Sequence, residues 1–354
     1  KDIETIKISS LKGYYLSNFM SKASGITGKF NNIATRKLIR HIEIFKPDII
    51  HLHNLHGYYV NVFVLFKFLN RTRIPIIWTL HDCWGYTGNC AHYSYINCSK
   101  WQDVCCNCPQ IKEYPQSFFF DFTSQMFEWK KKIFLNAPIK VITTPSQWLC
   151  GEVEHSFLSK FTCVPVYNGI DIEQFRIKRS SFKKKNNLEK KKIILGVANA
   201  WSPKKGLYDF FRLAEVIPEE YKIVLVGLSK KQIDELPSSI YGVQRTESVD
   251  QLVDIYNAAD IFINPSYEET FGLVTAEALL CGVPVITYDK TAVPEVAEAP
   301  YGRIVTAGDI QGLLKAIICT PQYDRIEVRA SAFKYSKSKM LGKYMELYEK
   351  AVES

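Results

Sequence analysis

The strongest chemical signal in this sequence is the run Asn264-Pro-Ser-Tyr-Glu-Glu-Thr-Phe-Gly-Leu-Val-Thr-Ala-Glu277. It reads as a strand end opening into a helix, with Glu269 in the loop and Glu277 on the helix. The first N–H groups of a helix have no intrahelical acceptor and, with the helix dipole, make a site for an anion such as a diphosphate. The amides of Phe271, Gly272 and Leu273 fall at that place, and a glycine there lets the backbone come close to a ligand. A carboxylate facing the same pocket would repel phosphate and suits the hydroxyls of a sugar instead. An acidic turn that only caps its helix is the plainer alternative. The flanking Pro265-Ser266 and Gly282-Val283-Pro284-Val285 weigh against it.

A second group of candidates is imidazole-rich. His51, His53 and His56 follow one expected strand, and His81 with Asp82 ends the next. Adjacent strand ends would carry all five to one cleft, where neutral imidazoles can exchange protons near neutral pH. A third group is the cysteines. Five of the ten lie between Cys90 and Cys108, and Cys105-x2-Cys108 has the spacing of a metal knuckle. Cys90, Cys98, Cys105 and Cys108 could hold a structural Zn²⁺ tetrahedrally, with His92 as an alternative ligand and Cys106 in excess. Thiol pairs or disulfides are the competing reading.

The elements that must position these groups alternate. Strands are expected over 48–52, 74–80, 139–143 and 162–167 in the first half, with an amphipathic helix over 32–45 and another through Cys150. The second half repeats the pattern: strands over 193–197, 222–226, 260–264 and 283–288, helices over 207–216, 249–258 and 273–281. Short apolar strands separated by helices imply parallel sheets covered on both faces, a doubly wound α/β fold. The expected division is a first domain over 1–171 with a Cys-rich loop at 83–109, a basic linker at 172–192, a second domain over 193–335 and a terminal helix over 336–354. Two such domains would face each other across a cleft, with ligands beyond the carboxyl ends of the strands.

Composition narrows the function classes. The chain has 354 residues, 47% of them apolar, which excludes wholesale disorder and fits two domains. The net charge of +9 is concentrated: Arg176 to Lys192 holds nine Lys or Arg against Glu189, leaving the rest nearly neutral. That excludes a general nucleic-acid surface. The run reads as a solvated linker, with attraction to anionic lipid headgroups as the functional alternative. The longest apolar run, Tyr58 to Leu69, is broken by Asn61 and Lys67 and is too short to span a bilayer. The aromatic stretch from Phe118 to Phe134 reads as a core helix, or else as an interfacial helix that brings the protein to a membrane. The chain begins at Lys1 with no secretory signal pattern.

Taken together, Pro-Ser…Glu-x-Phe-Gly-Leu-x-x-x-Glu-Ala-Leu…Gly-Val-Pro-Val resembles the E-x7-E motif of the retaining glycosyltransferases of family 4, which have the GT-B fold. Asp48-Ile-Ile-His-Leu-His53, Thr79-Leu-His-Asp82, Thr144-Pro-Ser146, Asn168-Gly-Ile-Asp171 and Lys205-Gly206 match in the same order. The runs His51 to Gly57 and Trp78 to Trp84 are similar to transferases of colanic acid, capsule and other exopolysaccharide assembly.

The resemblance implies that Glu277 holds the ribose of a nucleotide-sugar, that Glu269 contacts its sugar, and that Lys205 and the amides of 271–273 hold its diphosphate. A cation there would neutralise the leaving diphosphate. The family's usual arginine falls at Ala200, so Lys204 is a candidate substitute. His81 is implied as the catalytic histidine, with attack from the front face and no protein nucleophile. No Asp-x-Asp occurs, so no catalytic metal is expected. The family's first strand and glycine-rich turn would precede Lys1 and are not in this sequence, which points to a truncated chain or an abbreviated first domain.

The resulting expectation is a cytoplasmic hexosyltransferase, peripheral on the inner face of the membrane. It would take a UDP- or GDP-sugar as donor and a glycan or lipid-linked acceptor. The rivals are a GT-B nucleotide-sugar 2-epimerase and a non-catalytic nucleotide-sugar-binding scaffold.

Overall fold

The structure, a computed structural model, describes residues 5–353. The chain divides into two compact units. One takes the chain up to Val166 together with the stretch from Tyr344 onward; the other is Tyr167–Lys343.

The first unit runs α1 (Leu11–Ser24), α2 (Asn32–Phe45), β1 (Ile50–Leu52), α3 (Val62–Leu69), β2 (Ile76–Thr79), α4 (Thr123–Phe134), β3 (Ile139–Thr144), α5 (Gln147–Glu154) and β4 (Thr162–Pro165). Its four strands pair in the order β1-β2-β3-β4, all parallel, with His51 opposite Ile77 and Trp78 opposite Ile142. Every residue of β2 is buried, as a parallel strand covered on both faces requires. Trp78 anchors that packing, with Phe134 at 4.8 Å and Phe66 at 5.9 Å between ring centroids.

The second unit contains α6 (Phe182–Lys185), β5 (Lys192–Val197), α7 (Leu207–Ala214), β6 (Tyr221–Val226), α8 (Lys230–Asp234), β7 (Ile240–Val243), α9 (Val249–Ala258), β8 (Ile261–Asn264), α10 (Leu273–Leu280), β9 (Val285–Tyr288), β10 (Gly302–Val305), α11 (Ile310–Ile318), α12 (Arg325–Ser331) and the start of α13 (Lys337–Glu353). Only the first seven residues of α13, up to Lys343, belong to this unit, and the larger part of that helix belongs to the first. The six parallel strands of the second unit lie in the order β10-β9-β8-β5-β6-β7. The chain moves outward from β5 to β7, then returns to β8 on the other side of β5. That reversal leaves a crevice between the carboxyl ends of β5 and β8, where doubly wound sheets take their ligands.

Two expectations change. The basic stretch is no free linker, because Phe182 and Leu188 are buried in the second unit's core. Lys183 pairs with Asp260 at 2.7 Å, and Asp254 accepts from the Ser181 amide at 2.9 Å, which ties the stretch to α9 and the start of β8. The terminal helix is not a separate piece, since the unit boundary falls inside α13. Of the stretch from Phe118 to Phe134, the helical part α4 is a core helix, with Met126, Phe127, Lys130 and Phe134 all buried, while Phe119 and Phe120 before it are exposed. Among the described residues no helix is long and apolar enough to cross a membrane.

Candidate functional site

The crevice of the second unit is a cavity of about 390 Å³, walled by the ends of β5 and β8, the loop after each and the start of α10. Gly272 takes the left-handed conformation (φ 91°) at the helix start, and no side chain caps α10. The Leu273 and Val274 residues opening α10 therefore present uncapped amides beside the cavity they line. Asn264, at the end of β8, donates to Thr275 at 3.0 Å and accepts from Ser266 at 2.6 Å, which fixes the strand-to-helix turn.

Lys205 and Glu269 both line this cavity, and the ammonium is hydrogen-bonded to the carboxylate. Their loops meet because Gly206 (φ 74°) has no side chain: a Cβ there would lie 2.4 Å from the Pro265 carbonyl oxygen. The Tyr267 amide completes the junction by donating to the Lys204 carbonyl at 2.9 Å. Lys204 itself does not line the cavity; its ammonium lies 3.4 Å from the buried carboxylate of Glu268. Phe271, Gly272 and Leu273 fall where the sequence put them. Ala200 lines the wall and offers no charge.

Glu277 is one helical turn deeper and is not part of the cavity wall. Its carboxylate accepts a 2.9 Å hydrogen bond from Tyr256, whose hydroxyl also lies 3.2 Å from the Val274 carbonyl. Burial raises the pKa of Glu277, and the Tyr256 bond opposes that rise. The sequence did not announce this partner of Glu277, because Tyr256 reads simply as the apolar face of α9.

In the first unit the histidines form two groups. His51, His53 and His81 make a continuous array: the His51 and His53 rings are 4.1 Å apart, and His53 Nδ1 lies 2.9 Å from His81 Nε2. His51 is fixed at both nitrogens, Nδ1 at 2.6 Å from the Tyr348 hydroxyl and Nε2 at 2.7 Å from the Thr79 hydroxyl. Thr79 is in turn bonded to Thr143 at 2.6 Å and to Tyr344 at 3.1 Å. Burial first, then the neighbouring imidazoles, lowers His51 to about 3, and burial with His81 lowers His53 to about 4. Burial also lowers His81, against the pull of Asp82. The array is therefore uncharged at neutral pH. His51 and His53 line an apolar cavity.

His56 and Asp82 stand apart from that array. His56 Nε2 is 2.7 Å from Asp82 Oδ2. His56 Nδ1 meets the Tyr114 hydroxyl at 3.0 Å. Burial pushes the Asp82 pKa up, but His56 and the Trp84 amide more than offset it, so the carboxyl lies below its usual range. Trp84 is held by Lys130, a fully buried lysine that donates to the Trp84 carbonyl at 2.6 Å and sits 4.0 Å from its ring centroid. The loop bearing His81 and Asp82 is thus anchored on α4.

The cysteines correct the expectation of zinc. Cys90, Cys98, Cys105 and Cys108 do line one small cavity of about 20 Å³, together with Cys106. Among the described residues, however, no three His, Cys, Asp or Glu side chains form a group able to hold a metal ion. Burial first, with the neighbouring thiols, pushes Cys90 to about 12 and Cys105 to about 11. The cluster fills an apolar space beside Trp101 and Tyr93.

Comparison with known proteins gives two family matches. Residues 24–174 match the family described as "Glycosyltransferase Family 4", and residues 191–320 match "Glycosyl transferases group 1". WcaC of Escherichia coli (strain K12), named for glycosyl transfer in colanic acid biosynthesis, is 24% identical over 318 residues, which is 86% of this chain and 76% of that protein. The Campylobacter jejuni N,N'-diacetylbacillosaminyl-diphospho-undecaprenol alpha-1,3-N-acetylgalactosaminyltransferase is 25% identical over 54% of this chain and 55% of its own. Among solved structures, Anabaena Alr3699/HepE in complex with UDP superposes with a TM-score of 0.65 at 16% identity, covering 90% of this chain and 82% of that one. A Rickettsia africae glycosyltransferase gives 0.63 at 15% identity over 99% and 85%. These likenesses show the GT-B fold.

Proposed function

We propose that this chain, which carries glycosyltransferase domains in both halves, moves a sugar from a nucleoside-diphosphate donor to a glycan or lipid-linked acceptor in the assembly of a surface polysaccharide, with retention of configuration. The observation that carries the reading is the cavity at the β5–β8 reversal, where Lys205, Glu269 and the uncapped start of α10 converge. That set matches a donor's parts: amides and ammonium for diphosphate, carboxylate for sugar hydroxyls. Relatives named for colanic acid and for an undecaprenol-linked saccharide support the acceptor class. UDP in a neighbour of the same fold supports the donor class.

In this reading Lys205 leaves Glu269 for the diphosphate when donor enters, and the freed carboxylate turns to the sugar. Lys205 then stabilises the charge that develops on the leaving phosphate, where a positioned cation acts only as the bond breaks. Glu277, held by Tyr256, binds the ribose. His81, uncharged and steadied by His53, hydrogen-bonds the sugar near the reacting carbon. The departing phosphate oxygen takes the acceptor's proton, so no side chain is needed as nucleophile and the new bond forms on the face the phosphate leaves. The cation at the diphosphate is Lys205, and donor binding is expected without a divalent metal.

Isothermal titration with UDP, GDP and their sugar conjugates, with and without EDTA, tests the donor half. A nucleotide must bind, and Glu277→Ala must abolish that binding with the fold intact. Equal binding by the variant would remove Glu277 from the site. Transfer from the bound donor to an undecaprenol-linked saccharide, followed by analysis of the anomeric linkage, tests the rest.

A further inference from the structure

Helix α1 is built the wrong way round for water. Its buried side chains are Ser17 and Ser21, while Leu11, Tyr15, Leu16 and Phe19 are each at least 60% exposed. At helical spacing these four, with exposed Met20, occupy about half of the helix circumference. The inward face is fixed: the Ser10 side chain caps the helix, Asn31 donates to Ser9 at 2.9 Å, and Tyr14 packs against Tyr58. The outward apolar face is therefore the one this helix must present.

The patch continues onto a second segment. The Phe118 amide donates to the Lys22 carbonyl at 2.8 Å, and Gly25 abuts the Phe120 carbonyl so closely that a Cβ would lie 2.5 Å from its oxygen. Phe119 and Phe120 are thereby brought to the carboxyl end of α1, both exposed. The charge along α1 and the residues after it is basic, while Asp121 is an exposed carboxylate beside Phe120. From Thr5 to Ile42 the chain has seven Lys or Arg and no Asp or Glu. Lys12 and Lys22 lie on α1 itself, and Lys29, Arg36, Lys37 and Arg40 are exposed just after it.

We propose that α1 and the Phe118–Phe120 loop dock the first unit onto an anionic lipid bilayer. Leucine and aromatic side chains would enter the headgroup boundary while the lysines beside them meet lipid phosphates. Each basic group near such a surface adds about 1 kcal/mol, so the rim and the apolar centre act together. A second copy of the chain fits worse, because the same basic rims would face each other. The proposal stands apart from the donor site, and it gives a reason for a transferase to meet a lipid-linked acceptor without a spanning helix.

Co-sedimentation of the full chain with vesicles of phosphatidylethanolamine and phosphatidylglycerol tests it, with phosphatidylcholine vesicles as the neutral control. The parent is expected to bind the anionic vesicles, to bind the neutral ones at least about tenfold more weakly, and to be released by high salt. Leu16→Glu with Phe19→Glu should lower binding at least about tenfold. Both side chains are exposed, so thermal melting and UDP titration should match the parent. No binding to anionic vesicles, equal binding by the double variant, or a dimer in sedimentation velocity that the double variant turns to monomer would each overturn the proposal.

Discussion

His53 Nδ1 and His81 Nε2 face each other at 2.9 Å. Two neutral imidazoles in that arrangement share one proton, so each fixes the tautomer of the other. If His81 serves transfer as proposed, His53 acts on it through His81. His81→Ala should lower kcat by about 10²–10⁴, the range of a lost positioned acid–base or hydrogen-bonding group. His53→Ala should lower it by less and move the pH profile, while nucleotide affinity stays unchanged in both. Steady-state transfer assays over a pH series decide this.

The same array predicts acid lability. His51 and His53 titrate well below 6.5 in the folded chain. Between their folded values and 6.5 the unfolded chain binds more protons, so stability must rise with pH across that window and fall on acidification. Melting temperatures measured from pH 7.5 down to 4.5 should drop. In His51→Gln, which keeps a polar partner for Tyr348 and Thr79, the slope should be shallower.

Tyr256 supports Glu277 with a bond to a buried carboxylate. Tyr256→Phe removes only the hydroxyl. The loss should weaken nucleotide binding about tenfold, since a hydrogen bond to a charged group contributes about 1.5–3 kcal/mol and water replaces part of it. Calorimetric titration reads this directly, with kcat at saturating donor little changed.

The two positive-φ glycines of the donor cavity should differ in tolerance. At Gly206 an added Cβ meets the Pro265 carbonyl at 2.4 Å, whereas at Gly272 its nearest neighbour is the Thr275 hydroxyl at 3.4 Å. Gly206→Ala should therefore displace the Lys205 loop and cost donor affinity as well as stability. Gly272→Ala should cost only the conformational strain, about 1–2 kcal/mol. Paired melting and titration data for the two variants distinguish these outcomes.

Lys130 anchors Trp84 from inside the core, and burial has lowered its pKa to about 7. Lys130→Ala leaves a cavity and an unbonded carbonyl, and should destabilise the chain by about 2–4 kcal/mol. Trp84 should become more mobile, which a red-shifted tryptophan emission would report. Transfer should fall with it, because the His81–Asp82 loop loses its anchor.

Much of the architecture was legible because it is written in short β-branched and apolar runs. Ile193–Val197 and Val283–Tyr288 announce strands covered on both faces, and the observed β5 and β9 fall on them. The edge strands β7 and β10 escaped, each being four residues with a glycine inside. Helix α1 escaped because its apolar residues do not face the core, so the usual pattern of burial is reversed. The donor loop was legible because glycine, proline and paired carboxylates are informative in local order. Tyr114, Tyr256, Tyr344 and Tyr348 were not, since their role lies in where a hydroxyl points across 58, 21, 265 and 297 residues of chain.

That last separation has a consequence for biogenesis. In synthesis the Tyr348 partner of His51 emerges 297 residues after it. Loop closure over such a span is slow, and domains otherwise tend to fold as they are made. The first unit must therefore wait, its histidine array unlatched, until synthesis of the second is complete, and maturation of that array is timed by the arrival of α13.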